Sequence, residues 1–310
     1  MSSFRKHPLT KALWKRWRKA SNWTSAQAIF AVLAILRMLP PRVGLGTAAR
    51  IGRWVGPILG RHRLAKKNLA RAYPEKDEAW IEETARGNWE QMARLAAEYV
   101  YLDEIFDFDP EKPGEGLIEV EGIEIFEALR DRKGPFLFFT GHLGSFELLP
   151  ICAATFGLEV TALFRPPNNK YIARRILSAR RTRGGHLVPS KAGAAWALAG
   201  QLDRGGAVGM LVDQKFKKGP PTTFFGRTCR TNPLVPKLAR QFGCEVYPVR
   251  CIRLPRGRYR LELQSRMDLP RGADGEIDIA ASCQALNDVV EGWVREHPEQ
   301  WMWFHRRWET

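Results

Sequence analysis

Acidic residues are missing from the first 74 positions of this chain. That stretch holds sixteen Lys and Arg and no Asp or Glu, while the remainder carries thirty-three of each sign. The whole net charge of +16 therefore sits on an N-terminal arm, and the body is balanced. Such an arm points to an anionic surface as partner, either nucleic acid or membrane. Cysteine is scarce as well. The five (152, 229, 244, 251, 283) form no CxxC pair and no Cys/His cluster with metal spacing, which argues against a structural zinc and against a secreted disulfide framework. They read as buried or idle thiols. A long hydrophobic run is also lacking. Trp23 to Leu39 is the best candidate, but it falls short of the about 20 residues a span needs and contains Arg37. No small-residue cleavage site follows it, so it is a poor secretory signal peptide. There is no internal repeat.

What the arm does contain discriminates between its two possible partners. Trp14, Trp17 and Trp23 are interleaved with Lys15, Arg16, Arg18 and Lys19, and the apolar stretch Ala26 to Leu36 follows. Arms that bind nucleic acid are usually polar between their charges, whereas Trp beside Lys beside an apolar segment suits a bilayer interface. Residues 44–59, wound as a helix, put Leu45, Ala49, Gly52, Val55 and Leu59 on one face and Arg50 and Arg53 on another. We expect an in-plane membrane helix there. Each Lys or Arg near an anionic leaflet contributes about 1 kcal/mol. The arm could hold the protein to a membrane as a monotopic anchor or as a short tilted one. "GLGTAA" (44–49) matches a dinucleotide fingerprint, but no strand precedes it and no ribose-binding acid follows at the expected spacing.

Beyond the arm, residues 62–101 carry a helical period, and "DFDPEKPGEG" (107–116) reads as a loop. Strands and helices then alternate. "LIEVEG", "PFLFFT", "EVTALFR", "AVGMLVDQ", "EVYPVRCIRL" and "RYRLELQ" read as strands. "SFELLPICAATFG", "AGAAWALAGQLDRG" and "NPLVPKLARQFG" are among the helices between them, and a last helix precedes the tail "EQWMWFHRRWET". This rhythm predicts an α/β fold with a mostly parallel central sheet flanked by helices, behind an N-terminal helical membrane anchor.

In such sheets functional groups gather beyond the carboxyl ends of the strands. His142 lies there, after "FLFFT", between Gly141 and Gly144. Ser145 is a plausible N-cap for the next helix, whose first turn carries Glu147. On one continuous helix the two side chains would stand about 140° apart. A loop histidine followed by a first-turn glutamate could meet. The carboxylate would then fix the ring tautomer and raise the basicity of the other nitrogen, leaving it to take a proton from a hydroxyl. N–H groups at the helix start could hold an oxyanion. A structural pair would have the same spacing.

"GHLGSFE" is an H-x4-[DE] motif and resembles that of the glycerolipid and lysophospholipid acyltransferase superfamily. More narrowly, the chain is similar to the bacterial lipid A biosynthesis acyltransferases, the lauroyl/myristoyl transferases. The resemblance runs over nearly the whole chain, through "RLAKKNLARAYPE" (63–75), "ALFRPPNNKYIARRI", "GMLVDQ", "TTFFG" and "HPEQWMWFHRRW". Ser145 departs from it, since many relatives carry Asn there. The resemblance implies a glycerol-3-phosphate-acyltransferase-like fold. It implies transfer of a fatty acyl group from the thioester of acyl carrier protein or coenzyme A to a hydroxyl of a lipid A precursor. The site would be the cytoplasmic face of the inner membrane, with no metal or redox cofactor. His142 and Glu147 would be catalytic. Residues 1–71 would be the anchoring region and 72–310 the acyltransferase domain. Another acceptor lipid is the alternative within this chemistry, and a nucleic-acid-binding scaffold with a dead site is the alternative outside it.

Other residues carry weaker expectations. Arg165 would meet a phosphate of acceptor or carrier through its guanidinium fork. Asp213 and Gln214 end a strand at the same sheet edge and would order the site, hold acceptor hydroxyls or serve structure. Arg174, Arg175, Arg180, Arg181 and Arg183 crowd one helix and its end, where an acidic carrier protein or a phosphorylated lipid could neutralise them. Phe224, Phe225 and Gly226 could line an acyl channel or sit in the core. Trp301, Trp303, Trp308, Arg306 and Arg307 suggest packing and interface contact.

Overall fold

The protein is described here from a computed structural model, in which residues 8–109, 111–112, 114–132, 134–164, 169–174, 186–190 and 192–308 are placed. Four helices come first: α1 (Pro8–Arg37), α2 (Pro41–Val55), α3 (Arg61–Ala72) and α4 (Glu78–Ile105). β1 (Ile118–Glu121), α5 (Ile123–Asp131), β2 (Phe136–Thr140), α6 (Leu149–Thr155), β3 (Val160–Phe164) and β4 (His186–Pro189) follow. Then come α7 (Ala194–Asp203), β5 (Ala207–Leu211), β6 (Pro221–Phe224), β7 (Arg227–Arg230), α8 (Leu234–Phe242), β8 (Glu245–Arg253), β9 (Tyr259–Leu263) and α9 (Ile279–Glu296).

Among the described residues, seven strands form one sheet in the order β1-β9-β8-β2-β5-β3-β4. All its pairings are parallel except β8 with β9. The uninterrupted apolar run of β2 fits its central place, buried at every position, because a parallel sheet covered on both faces has no polar side. Side chains alternate across it. Phe136 and Phe138 enter a core shared with α4, α5 and α6, while Leu137 and Phe139 enter one shared with α7, α8 and α9. β6 and β7 form a separate antiparallel hairpin. Its two-residue turn, Phe225 and Gly226, has positive φ at both positions, which matches the right-handed twist of the strands. Phe224 and Phe225 are buried among Trp301, Trp303 and Tyr73 rather than along a channel.

The N-terminal helices correct the expectation about residues 44–59. Leu45, Ala48 and Ala49 face inward and pack on α4. Gly52 permits the approach, since a Cβ there would lie 2.6 Å from the Trp89 carbonyl oxygen and 2.4 Å from the Ala93 Cβ. Of the face read as membrane-seeking, Leu45, Ala49 and Gly52 are therefore a protein interface, while Val55 and Leu59 are exposed. The outward apolar residues of this region are Val43, Ile51, Trp54, Val55, Ile58 and Leu59, with Ile58 82% exposed. α1 behaves likewise. Ala26 and Leu36 are buried, while Trp14, Trp17, Trp23, Ile29, Val32 and Ile35 are exposed. Arg37, which interrupts the apolar stretch, pairs with Glu104 of α4 and donates to the Val100 carbonyl at 2.9 Å. Among the described residues no helix is long and apolar enough to cross a membrane. "GLGTAA" lies inside α2, with no strand before it. The five cysteines are all buried and free, and burial pushes Cys283 up to about 11 and Cys244 up to about 12.

Candidate active site

The parallel strands β2, β3, β4, β5 and β8 end at one edge of the sheet, and the chemistry-bearing residues collect there. β2 and β5 are neighbours in a register that sets Thr140 opposite Leu211, and Val212 N–H donates to the Thr140 carbonyl at 3.0 Å. Two residues further along, the same register brings His142 to Asp213. The Nδ1 of His142 lies 2.7 Å from Asp213 Oδ1, and the His142 backbone N–H donates to Oδ2 at 2.7 Å. Trp301 Nε1 donates to that same Oδ2, also at 2.7 Å.

Asp213, expected at this same sheet edge, is thus the carboxylate at Nδ1, and Glu147, expected to pair with the ring, lines the cavity beside it. A carboxylate accepts only, so it places the ring proton on Nδ1 and leaves Nε2 with a lone pair. The Gln214 amide nitrogen stands 3.1 Å from that Nε2, as a donor should. Asp213 is buried completely. Burial alone would raise its carboxyl, but electrostatic attraction to the His142 ring, the hydrogen bonds to that ring and its backbone, and His305 outweigh this and hold it well below the usual carboxylate range.

The turn between β2 and α6 has its own supports. Gly144 has φ +55, and a Cβ there would lie 2.0 Å from the Cys251 carbonyl oxygen, so the position requires glycine. Ser145 does not cap the next helix. Its hydroxyl donates to Glu98 Oε2 at 2.6 Å, and its N–H donates to the Cys251 carbonyl. Glu98 also takes two bonds from Arg253, at 2.7 and 2.8 Å, and one from Tyr259 at 2.9 Å. This buried cluster lies directly beneath the histidine loop. The N–H groups of Gly144, Ser145 and Leu148 are engaged within the protein, so these three are not the ones an oxyanion at this helix start would use. Glu147 occupies a single 3-10 turn, Phe146–Leu148, ahead of α6.

Beside His142 opens a cavity of about 530 Å³. Its lining combines the polar residues His142, Glu147, Gln214, Lys215 and Asn232 with the apolar Phe138, Ala153, Val160, Ala162, Gly209 and Met210. Of the arginines expected to bind anions, Arg174 is exposed on a short helical stretch after β3. Arg165, Arg175, Arg180, Arg181 and Arg183 lie outside the described residues. The packing expected of the tail is present. Trp301, Trp303, Arg307 and Trp308 are buried, and Arg306 alone of that group is exposed.

Fold and cavity together define a class: an α/β protein with a largely apolar cavity at the carboxyl edge of a mostly parallel sheet. Similarity then specifies the family. The model of the bacterial lipid A biosynthesis acyltransferases matches residues 11–310, and the chain belongs to that family and is an acyltransferase. "Lipid A biosynthesis acyltransferase 2" of Shigella flexneri is 26% identical over 307 residues, covering 97% of this chain and 91% of the relative. A "lipid A biosynthesis acyltransferase" of Haemophilus influenzae is 24% identical, over 92% of this chain and 87% of its own length. The "lipid A biosynthesis palmitoleoyltransferase" of Escherichia coli K12 is 25% identical, over 90% and 89%.

Proposed function

We propose that this protein moves a fatty acyl chain from a thioester, on acyl carrier protein or coenzyme A, to a hydroxyl of a lipid A precursor. The observation that carries the reading is His142, backed by Asp213, in the lining of a largely apolar cavity, in a chain of this family. The acyl chain lies in the cavity with its carbonyl near His142. The acceptor hydroxyl replaces the Gln214 amide as donor to Nε2. As its oxygen attacks the thioester carbon, the proton passes to Nε2, and Asp213 stabilises the imidazolium through Nδ1–H. The tetrahedral oxyanion collapses, the C–S bond breaks, and the thiolate leaves with the proton from Nε2. Gln214, displaced from the ring, supplies an N–H to the oxyanion. Glu147 is a carboxylate of the cavity lining and takes the acceptor's hydrogen bond during approach, before that O–H turns to Nε2. Arg165, Arg174 and Arg175 take phosphate groups of acceptor or carrier. No metal or redox group is required for these steps.

In the same reading the protein works at the cytoplasmic face of the inner membrane. It is held there by the outward apolar residues of α1 and α2 and by the basic charge of the arm, lying in the interface. Anionic lipids, acyl carrier protein and the lipid A precursor are its partners. Mass spectrometry of lipid A from a deletion strain, complemented with wild type or His142→Ala, tests this. One acyl chain should be lost in the deletion and in the variant, and restored by wild type. Unchanged lipid A in the deletion strain would move the acceptor to another lipid.

A further inference from the structure

The mechanism above makes no use of the C-terminal tail, yet the tail clamps the histidine loop. Leu143 bridges Trp301, Met302 N–H donates to the His142 carbonyl at 3.0 Å, and Gly144 N–H donates to the Gln300 carbonyl at 3.0 Å. The tail is itself held from behind. The Asn88 amide donates to the Glu299 and Trp301 carbonyls, and the Asn68 amide donates to those of Trp303 and His305 at 2.8 Å. At the centre is the indole of Trp301, fully buried, whose N–H meets Asp213 Oδ2. That oxygen also takes the His142 backbone N–H, and Oδ1 is left for the ring.

We propose that Trp301 is a positioning residue of the transfer reaction, its indole N–H fixing the Asp213 carboxylate in the orientation that accepts His142 Nδ1–H. The proposal rests on the reading of His142 as the base. The Asp terminal torsion is broad and roughly two-fold, so a carboxylate is not aligned by its own rotamer. It is aligned by what its two oxygens accept. The backbone N–H fixes one point, the indole a second, and together they set the carboxylate plane. Other titratable or charged groups face Asp213. His305 approaches its carbonyl oxygen through Nε2 at 3.3 Å, and Arg307 comes from the same tail. Glu147 and Lys215 lie beyond His142 on the cavity wall. None of these supplies the second carboxylate contact.

Packing alone is the competing explanation, since Trp301 also stacks edge-on against Trp303 at 4.6 Å. Trp303 is the matched control. It is equally buried and its N–H donates to the Pro298 carbonyl at 2.6 Å. The experiment measures transfer by purified Trp301→Phe and Trp303→Phe over a pH range, with thermal melts alongside. A hydrogen bond to a charged group is worth a factor of about ten to a hundred. Trp301→Phe should lose that much in kcat, with KM for the thioester unchanged. Its acid limb should move to higher pH, because the carboxylate charge is then shared with fewer donors. Trp303→Phe should lower the melting temperature and leave the pH profile alone. A folded Trp301→Phe with wild-type kcat and acid limb overturns the proposal, as does the same profile change in Trp303→Phe. Where Trp301→Phe does not fold, benzothienylalanine at 301 keeps the indole's shape without its N–H, and the same criteria apply. His142→Ala in the same assay separates the two levels. If it remains active, the base assignment is wrong. If it is inactive while the 301 variants behave as wild type, only the role of Trp301 is wrong.

Discussion

Asp213→Asn should inactivate the enzyme while leaving it folded. Asp213 accepts three N–H groups: the His142 ring, the His142 backbone and Trp301. In the amide, the oxygen can keep the two that converge on Oδ2. Its NH₂ must then face His142 Nδ1, where donor meets donor unless the ring moves its proton to Nε2. The ring then points a donor into the cavity and cannot take a proton from the acceptor. The same change in a Ser-His-Asp triad costs about 10⁴ in kcat, and a loss of about 10³ to 10⁴ is expected here. Stability should change little, because two of the three hydrogen bonds survive and a buried charge is removed. The assay is transfer of a labelled acyl group from thioester to lipid acceptor at neutral pH, with kcat and KM resolved and a melt run alongside. Glu147→Gln is the comparison. It should cost less, since Glu147 does not hold the ring tautomer in this account. Near-wild-type kcat for folded Asp213→Asn would refute the tautomer argument. A far larger loss for Glu147→Gln would return the dominant role to the sequence-adjacent carboxylate.

Three further expectations follow from the packing. Glu98→Ala strands the Arg253 guanidinium in the interior and should destabilise the fold by about 3 to 5 kcal/mol, read by denaturant or thermal melts. Burial alone would raise the Glu98 carboxyl, but Arg253 and the Ser145 and Tyr259 hydroxyls hold it below the ordinary range. Its contribution is therefore complete above the unfolded-state value and is lost as pH falls through the folded-state one, so the variant's melt should be less sensitive to acid than wild type's. Gly209→Val narrows the cavity where a Cβ would already lie 3.1 Å from Val160 Cγ1. It should shift the acyl preference toward shorter chains by about fourfold per excluded methylene, in competition assays with mixed thioesters. Ile58→Glu replaces an outward apolar residue and should weaken vesicle co-sedimentation by about tenfold or more without altering the melt.

Much of this molecule could be read from one sequence, for physical reasons. The apolar run of β2 and the βα rhythm specified a covered parallel sheet, and the strand end after "FLFFT" located His142. The pairing of His142 with Asp213 was hidden because it depends on the register between β2 and β5, which are separated by most of the sheet's crossovers. A single chain carries no trace of that alignment. Ser145 has the composition of an N-cap, but the structure uses its hydroxyl for a buried carboxylate from a helix 47 positions earlier. The periodicity of residues 44–59 correctly gave a helix with an apolar face. Periodicity does not report what covers a face: α4 covers Leu45 and Ala49, while Val55 and Leu59 at its far end are exposed. Trp301 looked like packing because an indole's second property, one directed N–H, becomes visible only when its acceptor is known.

The central claim is that the imidazole of His142, held by Asp213, removes the proton from the acceptor hydroxyl. The measurement that meets it most directly is the single-turnover rate of acyl transfer by purified, folded His142→Ala, with acyl-thioester and lipid acceptor both saturating. The account predicts a fall of about 10² to 10⁴ with membrane binding intact. A rate within a few-fold of wild type would contradict it.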